Sequence, residues 1–284
     1  MFKSTYDDTG PSEKELVKDV KKALSEDIGS GDITSTLIDN KHKGFATIIC
    51  KEKAILCGSP YVNATYNLLD SAVKITWMVE DGTQVDNNRA VCRIEGNTKA
   101  ILTGERTAIN FLQTLSGTAT TTAKYVAQVK NSNTKILDTR KTIPGLREAQ
   151  KYAVLCGGGK NHRKGLFDGI LIKENHIVAA GSIKNAVGKM RELRPDLKIE
   201  VEVENADEVS QALEAKADII LLDNFEEKTL ANILPLPSDK TKVEISGNVS
   251  LERVGDLSRL GVDFISVGAL TKNIKAIDFS LRLV

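Results

Sequence analysis

What this sequence lacks narrows it first. It has no surplus of either charge: 39 lysines and arginines stand against 38 aspartates and glutamates, a net of +1. A general nucleic-acid or membrane-surface binder carries a basic field, so the balance argues against both classes. Any basic cluster must then serve a local anion. No apolar run reaches about 18 residues, so no membrane-spanning helix is expected. The opening "MFKSTYDDTG" is polar and acidic, unlike a secretory leader, and a cytoplasmic protein is expected. The 4 cysteines, Cys50, Cys57, Cys92 and Cys156, form no C-x-x-C pair. That argues against a zinc knuckle or dithiol redox motif and for reduced, buried thiols. Two phosphate-loop motifs are missing as well. In "GGGKNHRKG" (157–165) Lys160 is followed by Asn161, which breaks G-x-x-x-x-G-K-[ST]. The same stretch follows a helical pattern, "PGLREAQKYAVLC", where a dinucleotide fingerprint would follow a strand.

What is present is a chain of 284 residues, 41% hydrophobic, long enough for one large domain or two moderate ones. "PSEKELVKDVKKALSED" opens on a capping box, Ser12 with Glu15, and its apolar residues share one helical face. "GFATIICKEKAILCG" (44–58) reads as strands joined by a charged turn. "VKITWMV" (73–79) alternates as a half-buried strand, "EDGTQV" turns, and "AVCRIEG" returns. The first hundred or so residues thus predict a small α+β domain. From Gly104 to Lys130 the pattern is helical, with Gly117 as an interruption. Six short apolar runs follow, "KILDT" (135–139), "GILIK" (169–173), "KIEVEVE" (198–204), "DIILLDN" (218–224), "KVEIS" (242–246) and "DFISVG" (263–268). Helical segments separate them, the mark of a parallel βα sheet or barrel. A full eight-unit barrel takes ~200 residues or more, so a barrel over 115–271 is expected to be incomplete. The domains are read as 1–114 and 115–271, with 272–284 packing back on the first.

In such folds the strands' C-terminal ends carry function. Here they carry Thr139, Arg140, Lys141, Lys173, Glu202, Asp223, Ser246, Gly247 and Gly268. In "IEVEVE" alternation sets Glu200, Glu202 and Glu204 on one face, toward the barrel interior if the valines pack under helices. Buried carboxylates need a cation or hydrogen-bond partners, and Lys141, Lys173 or a metal could serve. The alternative is an exposed edge strand. Asp223 ends a strongly apolar run, either to hold Mg²⁺ or sugar hydroxyls or to cap the helix after it. The glycines of "VEISG" and "ISVGAL" are candidate phosphate turns. His162 and Arg163 are read as pointing into the barrel mouth beside Arg140, Lys141 and Lys173. Such a cluster of cations suits a di- or tricarboxylate next to a phosphorylated, metal-bound partner. Lys160 and Lys164 are read as solvated neighbours and His42 as surface. His176 is either an indirect contact to the site or an ordinary turn residue.

These segments resemble quinolinate phosphoribosyltransferase. The resemblance runs from "EDIGSGDITS" (26–35) and "ERTAINFLQTLSGTATTT" (105–122) through "LDTRKTIPGLREAQKYAVLCGGGKNHRKGLFDGILIKENHI" (137–177) to "VEVEN", "LLDNF", "EISGNVS" and "GVDFISVGALT". It implies an N-terminal α/β sandwich domain and an incomplete, TIM-like α/β barrel. It implies a glycosyltransferase of NAD biosynthesis that joins quinolinate to 5-phosphoribosyl-1-pyrophosphate (PRPP) with Mg²⁺, releasing pyrophosphate and CO₂. Carried over by motif, Arg140, His162, Arg163 and Lys173, next to Thr139, grip quinolinate, and Lys141 reaches the donor. Glu202 and Asp223 hold ribose hydroxyls and Mg²⁺, directly or through water. Ser246, Gly247, Gly268 and Ala269 bind phosphate. Arg106 enters from the partner of a homodimer, with assembly to a hexamer left open. Two departures stand out: asparagines in "DNNRAV" (86–91), and Asn248 where a small residue is usual after "SG". A paralogue acting on a different aromatic acid and a non-catalytic anion-binding relative are the alternatives.

Overall fold

The computed structural model describes residues 10–238 and 240–284. The leader reading of the first nine residues lies outside them. The chain divides into two compact units.

One unit comprises residues 10–123, residues 142–158 and residues 270–284. Helix α1 (Glu13–Ile28) starts where the capping box predicts, with the Ser12 hydroxyl accepting from the Glu15 amide. Its buried residues, Leu16, Val20 and Leu24, recur at helical spacing. Strands β1 (Lys43–Cys50), β2 (Ala54–Ile55), β3 (Lys74–Trp77), β4 (Gln84–Val85) and β5 (Arg89–Asn97) follow, with α2 (Ser59–Leu69) between β2 and β3. The main sheet is antiparallel in the order β12-β1-β5-β3, where β12 is the C-terminal strand Phe279–Leu283. The second run of "GFATIICKEKAILCG" does not fold back on the first; β2 pairs instead with β4. Helix α3 (Thr98–Gln128) is unbroken through Gly117. A Cβ at Gly117 would stand 2.3 Å from the Lys275 carbonyl oxygen, so close backbone approach, not helix breaking, explains the glycine. Helix α4 (Arg147–Cys156) also belongs to this unit.

The other unit comprises Lys124–Lys141 and Gly159–Ala269. All six apolar runs are its strands: β6 (Lys135–Leu137), β7 (Ile170–Ile172), β8 (Ile199–Val203), β9 (Ile219–Asp223), β10 (Lys242–Ser246) and β11 (Phe264–Ser266). They form one parallel sheet in the order β6-β11-β10-β9-β8-β7, an incomplete TIM-like barrel. Helices α5 (Glu174–Ala180), α6 (Ile183–Leu193), α7 (Ala206–Glu214), α8 (Glu227–Ile233) and α9 (Val254–Arg259) come between successive strands. Continuous apolar strands such as "IILL" follow from burial on both faces of a parallel sheet. β8 lies between β7 and β9, so the edge-strand reading of its glutamates fails. No described helix is long and apolar enough to cross a membrane. All four cysteines are free thiols.

Candidate active site

Parallel strands all end on one side, so their last residues converge. Sheet register sets Asp223 beside Ser246 and Glu202 beside Leu221, with Leu221 in turn beside Glu244. A cavity of about 260 Å³ opens there. Thr139, Arg140 and Lys141 reach it from beyond β6, His162 and Arg163 from the "NHR" loop, and Lys173 from beyond β7. Glu202, Asp223 and Ser246 complete the ring of strand-end groups, and Glu244 and Ser266 join them from deeper in the sheet. Most of the residues singled out from the sequence therefore share one cavity.

The cations are held by chemistry that leaves them facing it. Lys173 Nζ lies 2.5 Å from Glu202 Oε2, one of the partners the sequence left open for the strand's glutamates. Arg163 is buried, and its Nη1 donates to the Gly169 carbonyl at 3.2 Å. Burial, and then the charge of Arg140, press Arg163 below its ordinary pKa. Two guanidiniums opposing each other in a half-enclosed space favour a bound polyanion.

Asp138 holds the loop that carries His162. It is wholly buried, accepting from the His162 amide and from Asn161 Nδ2, each at 2.8 Å. His162 Nδ1 accepts the Arg163 amide at 2.8 Å, and Nε2 faces Glu200 Oε2 at 3.0 Å. Glu244 Oε1 is 3.7 Å from the same nitrogen. Burial raises Glu200 to about 7, and burial followed by the Glu200 charge raises Glu244 to about 8. The donor atoms of His162, Glu200 and Glu244 lie within 4.8 Å of one another, a grouping able to hold a metal ion.

The two glycine turns differ in backbone conformation, and only Gly247 has a positive φ. Gly247 has φ +91°, and a Cβ there would meet Asn224 Oδ1 at 2.1 Å. Asn248 follows it with φ 47°, exposed, its amide donating to Asn224 Oδ1 at 3.4 Å. Gly268 lies against the Lys141 stem, and Ala269 begins a single helical turn. Arg106 is exposed on α3 and belongs to the other compact unit. His176 is exposed and accepts the Lys173 amide through Nδ1 at 3.0 Å, which makes it a turn residue at the start of α5. The residue capping α8 is Glu226, so Asp223 is free of the capping role weighed against its site role.

A second grouping, Cys57, Asp81 and Cys156, lies in the other unit. Asp81 there accepts from the Gly58 amide and the Tyr152 hydroxyl, each at 2.8 Å, and anchors the start of α2.

Comparison with known proteins fits this geometry. The C-terminal domain model of quinolinate phosphoribosyl transferase matches residues 118–282, and the N-terminal domain model matches 32–116. The chain belongs to this family. It is 40% identical over 267 residues to a probable nicotinate-nucleotide pyrophosphorylase [carboxylating] of Bacillus subtilis, covering 92% of each chain. The solved nicotinate-nucleotide pyrophosphorylase of Francisella tularensis superposes with a TM-score of 0.92 at 48% identity, covering 95% of this chain and 96% of that one. NadC of Streptococcus pyogenes superposes with a TM-score of 0.93 at 35% identity, covering 97% and 99%.

Asp138 and Glu244 were absent from the site expected on sequence, and Glu200 was set on its interior face without a role. Asp138 sits in "ILDT" as Asp223 sits in "LLDN", a carboxylate ending an apolar run. Glu244 sits in "VEIS", two residues before Ser246 and so on its face. Those signals were available, but each carboxylate takes meaning only from the loop that lands on it.

Proposed function

We propose that this protein transfers the phosphoribosyl group of PRPP to quinolinate with loss of CO₂, forming nicotinate mononucleotide and pyrophosphate. The observation that carries the reading is one cavity. In it Arg140, Arg163 and Lys173 stand beside Glu202, Asp223 and Ser246 at the strand ends of a chain of this family.

Arg140 and Arg163 pair with the two carboxylates of quinolinate, and Lys173, Thr139 and His162 complete that side of the cavity. Lys141 reaches the donor. Ser246 with Gly247, and Gly268 with Ala269, present the phosphate-binding turns. Glu202 and Asp223 accept the ribose hydroxyls. Their carboxylate oxygens also match the oxygen donors that Mg²⁺ prefers, and Asp223, without a capping duty, fits that use. Bound there, Mg²⁺ supplies charge neutralisation of the pyrophosphate. Holding both substrates in one orientation provides most of the catalysis the chain itself must give. The pyridine nitrogen forms a bond to ribose C1 as the C1–O bond to pyrophosphate breaks. Glu202 and Asp223 stabilise the positive charge that develops on the ribose. The resulting pyridinium accepts the electron pair of the breaking C2–carboxylate bond; CO₂ leaves and C2 takes a proton. The working unit is a cytoplasmic homodimer in which Arg106 of one subunit serves the cavity of the other.

Calorimetry tests the clamp separately from turnover. Quinolinate should bind at least about tenfold more tightly than nicotinate, which lacks one carboxylate and one charge-assisted pair. Equal affinity for the two acids contradicts the reading.

A further inference from the structure

Both ring nitrogens of His162 lie against protein groups, one by a hydrogen bond and one by a carboxylate contact. Nδ1 accepts the Arg163 amide at 2.8 Å. A ring nitrogen that accepts carries no proton, so the neutral imidazole bears its proton on Nε2. That nitrogen stands at ion-pair distance from Glu200 Oε2, 3.0 Å away, with Glu244 Oε1 at 3.7 Å. Glu200 comes from β8 and Glu244 from β10, the two neighbours of β9. Their exposures are 4% and 0%. Carboxyls so deeply buried are costly, and here two strands spend them under a single ring.

The ring is therefore a link in a chain. If it turns, the Arg163 amide loses its acceptor, and the guanidinium next to that amide loses its footing. We infer that Glu200, backed by Glu244, is a positioning residue for the carboxylate clamp: it fixes the His162 ring and through it the placement of Arg163. This rests on the reading of the cavity as the quinolinate site. The same three side chains could instead enclose a metal ion, an alternative that the experiment separates.

In the full-length enzyme with Mg²⁺, Glu200→Leu should raise the quinolinate KM by about tenfold or more, while the PRPP KM stays within about twofold. Glu200→Gln keeps an acceptor of the same shape and should return the quinolinate KM to within about threefold of the wild type. A folded Glu200→Leu enzyme with an unchanged quinolinate KM overturns the inference, and so does an equal rise in both KM values. ¹⁵N NMR of the wild-type enzyme needs no variant to fold: His162 should show the Nε2–H tautomer, and an Nδ1–H tautomer overturns the inference. Stoichiometric transition metal in the purified enzyme, lost in Glu244→Gln, overturns it too. If the wild type binds no quinolinate, the functional reading fails, while the tautomer still decides how the ring is held.

Discussion

Arg140 is the side chain whose removal reads the clamp most directly. It is exposed at the rim of the cavity. Each charged hydrogen bond to a carboxylate contributes roughly 1.5–3 kcal/mol, so Arg140→Ala should raise the quinolinate KM about ten- to a hundredfold. Its effect on the PRPP KM should be small. Asp223→Ala should show the opposite split, with the donor KM raised most; steady-state kinetics with each substrate varied distinguishes the two. Glu244 offers a test by pH. Its folded pKa, about 8, lies above its ordinary 4.5, so the folded state keeps a proton that the unfolded state has released. Stability from this group is full below the ordinary value and is lost as pH rises through about 8. Glu244→Gln does not titrate, so its Tm relative to the wild type should rise between about pH 5 and pH 8.5. A Tm difference that stays flat across that window contradicts the assignment. Residues of this kind mark the limit of sequence reading. Arg140 and Lys173 were legible because they follow apolar strands directly. Asp138 and Glu244 were not, because their meaning comes from a loop some twenty or more residues away in the chain landing on them.

Among the elements, helix α3 provides the cleanest trial. Its local pattern reads Gly117 as a flaw, and by propensity alone alanine there would stabilise the helix by about 1 kcal/mol. The backbone at Lys275 reverses that sign. Overpacking of this kind costs about 1–3 kcal/mol, and in a chain of this size each kcal/mol lowers Tm by about 2–4 °C. Gly117→Ala should therefore melt earlier than the wild type in a thermal scan; a higher Tm would show that propensity wins. The six barrel strands were fully legible, since burial on both faces of a parallel sheet writes itself as short apolar runs. The pairing of β2 with β4 was not. Two strands of two residues each carry too little pattern to declare a partner.

For the molecule as a whole, the chain's path is more interleaved than its linear pattern suggests. Residues 142–158 and 270–284 belong to the same compact unit as residues 10–123, and β12 completes that unit's sheet against β1. Helix α4 has the same amphipathic look as the barrel's helices, so no local signal assigns it to either unit. The proposed dimer makes its own prediction. Arg106→Ala and Lys141→Ala should each be inactive alone, but mixed and allowed to exchange subunits they should recover activity, because one site of each heterodimer is intact. No recovery after verified exchange contradicts a shared site. The central claim concerns the reaction, and one measurement meets it directly: the release of CO₂ and pyrophosphate with PRPP, Mg²⁺ and each of three acids. Quinolinate should yield the two products in equal amounts, and nicotinate and orotate should yield neither. Folded enzyme that releases nothing from quinolinate, or pyrophosphate without CO₂, would contradict the account.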